Sequence, residues 1–134
     1  MSVPSPTSQQ PDAVARALVL AVAAGRIAIG AGAFFATRRA LAVLGFDEPD
    51  GATVALARLA GGRDIALGVA ALRAGPDRVA LREAAAIGAA VDAGDAIAFA
   101  TALARRDGID RTAALNVPIA GSAVVAGIWA LRRL

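Results

Sequence analysis

The chain has 134 residues and contains no cysteine, no histidine and no lysine. Without cysteine it has no disulfide, no thiolate zinc site and no cysteine nucleophile. Without histidine it lacks the usual metal ligand and the usual general base, and without lysine it has no Schiff-base or phosphate-loop amine. These absences exclude much enzyme chemistry, and we expect neither a bound metal nor another cofactor. They leave the catalytic residues, if there are any, unknown.

Charged and aromatic residues are also scarce, at 19% and 4%, whereas hydrophobic residues make up 57%. Soluble domains are typically about 45–50% apolar and about 25% charged. The formal net charge of +3 comes from dispersed arginines, and the chain has few aromatic residues to stack on bases. We therefore expect no nucleic-acid partner.

The apolar residues fall into four long segments, which follow a Pro/Ser/Gln-rich start. Residues 1–12 are predicted to be a disordered tail, and residues 13–134 a single helical domain. The segments cover 17–36, 53–73, 81–103 and 113–131, and about 20 helical residues cross a bilayer core. Turn and charge signals separate them, and strand patterns are missing. The sequence predicts an all-α fold, an antiparallel up-down four-helix transmembrane bundle with short loops.

A soluble four-helix bundle is the alternative, and the first and fourth segments argue against it. Arg26 is the only charged residue of the first segment, and Asn116 and Ser122 are the strongly polar residues of the fourth. A soluble surface helix needs a polar face. We therefore predict a multi-pass protein of the cell membrane with the lipid bilayer as its partner. The arginines are spread almost evenly over the predicted loops, so the orientation stays open.

Ionisable residues nevertheless lie inside the first three segments. Intramembrane charges usually face the bundle interior and are candidates for function. The predicted polar network consists of Arg26, Arg58, Arg63, Asp64, Asp92 and Asp95, with Asn116 from the fourth segment. Small residues permit close helix approach, and the predicted packing glycines are Gly30, Gly61, Gly68 and Gly88.

Depth along the helices predicts which of these charges pair. At a rise of about 1.5 Å per residue, Arg26, Arg63, Asp64 and Asp92 fall in one central layer. Arg58 and Asp95 fall in a second layer on one side of it, together with Asn116. We therefore predict an Arg58–Asp95 pair. The alternative is that the Arg58 side chain extends to the lipid headgroups.

Three motifs resemble a known family. Residues 58–68 (RLAGGRDIALG) resemble the core motif of small four-helix membrane proteins of bacteria and fungi, the domain-of-unknown-function family 4267. Residues 25–30 (GRIAIG) and 91–96 (VDAGDA) are similar to its first and third helices. The resemblance covers roughly residues 14–132. It implies a four-helix integral membrane domain and no known reaction.

Three functions stay open. The network could bind a small polar or amphipathic ligand. It could serve a membrane enzyme in which Asp64 or Asp92 is the acid–base group. Its ion pairs could instead be purely structural in a membrane subunit. A cavity beside the charges would favour the first two, and a fully paired and packed core would favour the third. The sequence leaves the ligand and a homo-oligomeric state undetermined.

Overall fold

The computed structural model describes residues 12–134, and these form five α-helices and no strand. The helices are α1 (Ala13–Phe35), α2 (Thr37–Val43), α3 (Gly51–Ala74), α4 (Arg78–Arg105) and α5 (Asp110–Arg133). The predicted all-helical class is confirmed. The predicted tail lies, apart from Asp12, outside the described residues.

Three of the long helices begin at an aspartate. The side chain of Asp12 accepts a hydrogen bond from the Val14 amide, and Asp50 accepts one from the Thr53 amide. Asp77 accepts hydrogen bonds from the Val79 and Ala80 amides in the first turn of α4. A side-chain oxygen here satisfies amides that have no carbonyl partner within the helix. These caps explain why the helices begin a few residues before the apolar segments.

The short helix α2 corrects the predicted number of helices from four to five. Residues 37–43 were expected to belong to a connection because Arg38 and Arg39 interrupt the apolar segment. In the structure the chain leaves helical geometry at Ala36 (φ −115°, ψ 39°) and then forms α2. Thr37 and Leu41, one helical turn apart, are buried, so packing of one face stabilises this helix.

Three helices, α1, α4 and α5, are long and apolar enough to cross a membrane. Many large apolar side chains point outwards, among them Phe35 (80% exposed) and Val125 (69% exposed). α3 has the required length of 24 residues, but Arg58, Arg63 and Asp64 lower its hydropathy. The composition of α3 alone therefore does not establish a fourth crossing.

The long helices form two close antiparallel pairs, α1 with α3 and α4 with α5. In the first pair, a Cβ added to Gly30 would lie 2.6 Å from the Gly61 carbonyl oxygen. One added to Gly68 would lie 2.6 Å from the Ala23 carbonyl oxygen. In the second pair, a Cβ added to Gly127 would lie 2.8 Å from the Ala89 Cβ. Fewer residues connect one pair to the other.

An apolar cluster joins the two pairs at one end of the bundle. It contains buried residues from the start of α1, the start of α4 and the end of α5: Ala15, Val19, Leu81, Ala85, Ala130 and Leu134. The Arg78 side chain donates a hydrogen bond to the Leu134 carbonyl oxygen at this end. The start of α1 and the end of α5 thus pack together with the start of α4 on one side of the bundle, and the charged residues of the predicted network lie further along the helices.

Candidate functional site

Arg26 connects three helices. From α1, its guanidinium donates a hydrogen bond to Asp64 of α3 over 3.3 Å. It also donates to the Asp92 carboxylate of α4, and to the Gly88 carbonyl oxygen over 3.1 Å. Its side chain is 13% exposed. One arginine therefore joins the α1–α3 pair to α4.

Arg63 makes the second connection between the pairs. Its two terminal nitrogens donate to the two oxygens of Asp95, over 3.0 and 2.7 Å, and one of them also reaches Asp64 over 3.3 Å. Such a two-point contact fixes the orientation of both groups. The result is a chain of alternating charges, which runs Asp92–Arg26–Asp64–Arg63–Asp95. We call these five residues the polar core.

The predicted Arg58–Asp95 pair is wrong, because Asp95 pairs with Arg63. The Arg58 Nε donates instead to the hydroxyl of Thr37, over 3.3 Å. Asn116 is also outside the polar core, since its amide donates to the Thr112 carbonyl oxygen of its own helix over 2.8 Å. The depth argument assumed straight rods that share one midplane and omitted α2. That helix supplies the partner of Arg58, and the long side chain of Arg63 extends from the central layer to Asp95 in the second layer.

Burial changes along the polar core. The Asp92 side chain is 12% exposed and that of Asp64 is 20% exposed, whereas Arg63 and Asp95 reach 38% and 36%. The Nε of Arg63 is nevertheless covered, and it has no hydrogen-bond acceptor among the described residues. The Asp92 end is therefore enclosed by helices, and the Asp95 end is open on one side.

A cavity of about 40 Å³ adjoins the enclosed end, between the two helix pairs. Arg26, Asp92 and Gly88 form its polar side. Its apolar walls come from all four long helices and include Val19, Val22, Leu67, Ala84, Ala123 and Ala126. A water molecule needs about 10–15 Å³ on this measure. The cavity therefore has space for a few water-sized groups.

The predicted packing glycines divide into two kinds. Gly30, Gly61 and Gly68 lie where α1 and α3 touch through their backbones. Gly88 lies beside the charge, because a Cβ placed there would be 3.6 Å from an Arg26 terminal nitrogen. Its missing side chain leaves the guanidinium access to the carbonyl oxygen. Thr37, which is 4% exposed, was not predicted, and its position next to the two arginines of α2 was the only sequence signal.

The described residues contain no group of three or more histidine, cysteine or acidic side chains that could hold a metal ion. A scan against protein-family models found no match, and searches of curated proteins and of solved structures also found none. The functional argument therefore depends on the polar core, the cavity and the apolar helices.

Proposed function

We propose that this chain is a four-pass integral membrane protein whose polar core binds a small polar ligand within the bilayer. In this proposal α3 crosses the membrane together with α1, α4 and α5. The observation that carries it is the position of Arg26, which pairs with α3 and α4 at the polar side of the cavity. The resemblance to family 4267 agrees with four crossings and remains part of the proposal.

The ion pairs provide the physical reason why α3 could cross. An arginine or aspartate at a helix centre costs about 2.5–3.5 kcal/mol on the insertion scale. In the polar core, Arg63 and Asp64 of α3 meet opposite charges on α1 and α4. Their charges are thereby paired within the protein, as is usual for ionisable groups inside a membrane. Insertion of α3 would then depend on its neighbours.

The size of the cavity limits the ligand. Pockets for drug-sized molecules have volumes of about 300–1,000 Å³, whereas this cavity has about 40 Å³. A ligand of the size of water fits without movement, and an amphipathic molecule would require the helix pairs to separate. The small volume gives the enzyme hypothesis, with Asp64 or Asp92 as acid–base group, no support for an organic substrate.

Labelling of single cysteines tests the four crossings, and the natural absence of cysteine supplies the background. We expect Glu48→Cys and Asp107→Cys, in the loops before α3 and α5, to react with an impermeant maleimide from one side of the membrane. Pro76→Cys, between α3 and α4, should react from the other side. Reaction of Glu48→Cys and Pro76→Cys from the same side would show that α3 does not cross.

A pair of further cysteine variants tests whether small polar species reach the cavity. Ala126 lines the cavity, whereas neighbouring Val125 points outwards and is 69% exposed. Thiolates form only where water or a polar group stabilises them. We expect silver ions to protect Ala126→Cys, and not Val125→Cys, from later maleimide labelling of the unfolded protein.

A structural subunit is the second candidate function. It is favoured because all three carboxylates of the polar core contact an arginine. If silver ions protect neither cysteine while the topology experiment succeeds, the polar core is a packing device and this second candidate stands.

A further inference from the structure

The polar core has an excess of one negative charge. It combines the guanidinium groups of Arg26 and Arg63 with three carboxylates. Arg58, which would balance the count, donates to Thr37 instead. An uncompensated charge is costly away from water. One additional positive charge would make the polar core neutral.

The contacts distinguish the three carboxylates. Asp64 accepts two hydrogen bonds from two different arginines, and Asp95 accepts two from Arg63. Asp92 accepts one, from Arg26, and its side chain is the least exposed of the three. Its negative form is therefore the least stabilised by neighbours and by solvent.

The surroundings of Asp92 favour a proton over a metal ion. Its own helix contributes the Gly88 carbonyl oxygen and Asp95, α1 contributes Arg26, and α3 contributes Asp64 and Arg63. α5 presents Ala123, Ala126 and Gly127, which have no charge. A hard cation takes six or more oxygen ligands, and the cavity offers too few of them.

A protonated Asp92 would also have an acceptor within its own helix. Arg26 bonds to Oδ2, so Oδ1 could carry the proton. Gly88 lies four residues earlier, and its carbonyl oxygen already accepts a side-chain hydrogen bond. Thr101 and Asn116 donate to the carbonyl oxygen four residues earlier in the same way.

We propose that the polar core binds one proton at neutral pH and that the Asp92 carboxyl group carries it. This inference rests on the proposed function and names the ligand of the same site. Asparagine has the shape of a protonated aspartate, so Asp92→Asn should substitute for the occupied site. Asp107→Asn, at an exposed position in the loop before α5 and outside the polar core, is the control.

Infrared spectroscopy of the full chain in lipid tests this proposal directly. A protonated carboxyl group has a C=O stretching band that a carboxylate lacks. At neutral pH we expect the wild-type protein to show this band with the intensity of one carboxyl group per chain. Asp92→Asn should lose it, and Asp107→Asn should keep it.

Wild-type protein without the band, or Asp92→Asn protein that retains it, would overturn the proposal. The wild-type measurement needs no variant, so it stays decisive if a variant fails to fold. The result is also separable from the four crossings. A missing band together with cysteines on opposite sides would reject the proton alone, and cysteines on the same side would reject the proposed function itself.

Discussion

The contact within the α1–α3 helix pair differs in kind from the contact between the two pairs. Within it, glycines let the backbones touch, as at Gly30 and Gly61. Between the pairs, Arg26 and Arg63 reach across to aspartates of α4, and a cavity remains beside them. The contact within the pair depends on glycines, which have no side chain. The contact between the pairs depends on the long side chains of two arginines.

This difference matches the forces available in a bilayer. Lipid tails are as apolar as leucine, so burial of apolar side chains hardly drives helix association there. Close backbone packing and polar contacts remain as sources of stability. The glycines set the distance between helices, and the charges determine which residues face each other across the pairs. The two contacts should therefore respond differently to substitution.

Loss of Arg26 should have the largest effect, because it removes the more buried of the two ionic links between the helix pairs. Arg26→Ala would leave Asp92 without its arginine and would increase the excess negative charge. Breaking a buried ion pair costs about 3–5 kcal/mol. We expect a strongly lowered melting temperature in detergent. Arg39→Ala, on the exposed side of α2, is the control, and equal melting temperatures of the two variants would contradict this expectation.

Gly30→Ala should lower the stability less than Arg26→Ala does, because it disturbs the contact between α1 and α3. The new Cβ would lie 2.6 Å from the Gly61 carbonyl oxygen, which belongs to backbone and cannot easily move. Overpacking typically costs about 1–3 kcal/mol. Gly25 of the same helix has no atom within 4 Å of an added Cβ. Unfolding of Gly25→Ala should therefore be unchanged or require slightly more denaturant. If both variants unfold alike, the close helix contact is not stabilising.

The sequence was sufficient to predict the four long helices and the meeting of charged residues from the first three of them. Apolar length and the spacing of Gly61, Asp64 and Gly68 are local properties. The partners of each charge are not local, because they depend on side-chain reach and on helix ends. Asp95 therefore pairs with Arg63 rather than with Arg58. Helix α2 was not predicted, because Arg38 and Arg39 interrupt its apolar pattern. Its stability comes from the burial of Thr37 and Leu41, which depends on the rest of the fold.

Arg58→Ala should have a modest effect, because Arg58 forms no hydrogen bond or ion pair with the polar core and does not line the cavity. A hydrogen bond such as the one to Thr37 is worth about 0.5–1.5 kcal/mol. A double-mutant cycle separates the two possible partners. We expect Arg58→Ala to couple with Thr37→Val in unfolding experiments and to be additive with Asp95→Ala. Coupling with Asp95 instead would restore the pairing that depth alone predicted.

The smallest effect is expected at Asp50, which is fully exposed at the start of α3. Hydrogen bonds from the side chain and the amide of Thr53 lower the pKa of Asp50 below its usual value. The ionised carboxylate therefore stabilises the first turn above the pKa of an ordinary aspartate, and this stabilisation disappears as the pH falls through the lowered value. We expect the protection factor of the Thr53 amide, which is the exchange rate of an unprotected amide at the same pH relative to its own, to fall in acid.

In Asp50→Ala this protection factor should be low at every pH. Asp50→Asn, which keeps a capping oxygen without the charge, should show a higher protection factor that no longer changes in acid. An acid-dependent protection factor in the asparagine variant would assign the effect to another group, because asparagine does not titrate.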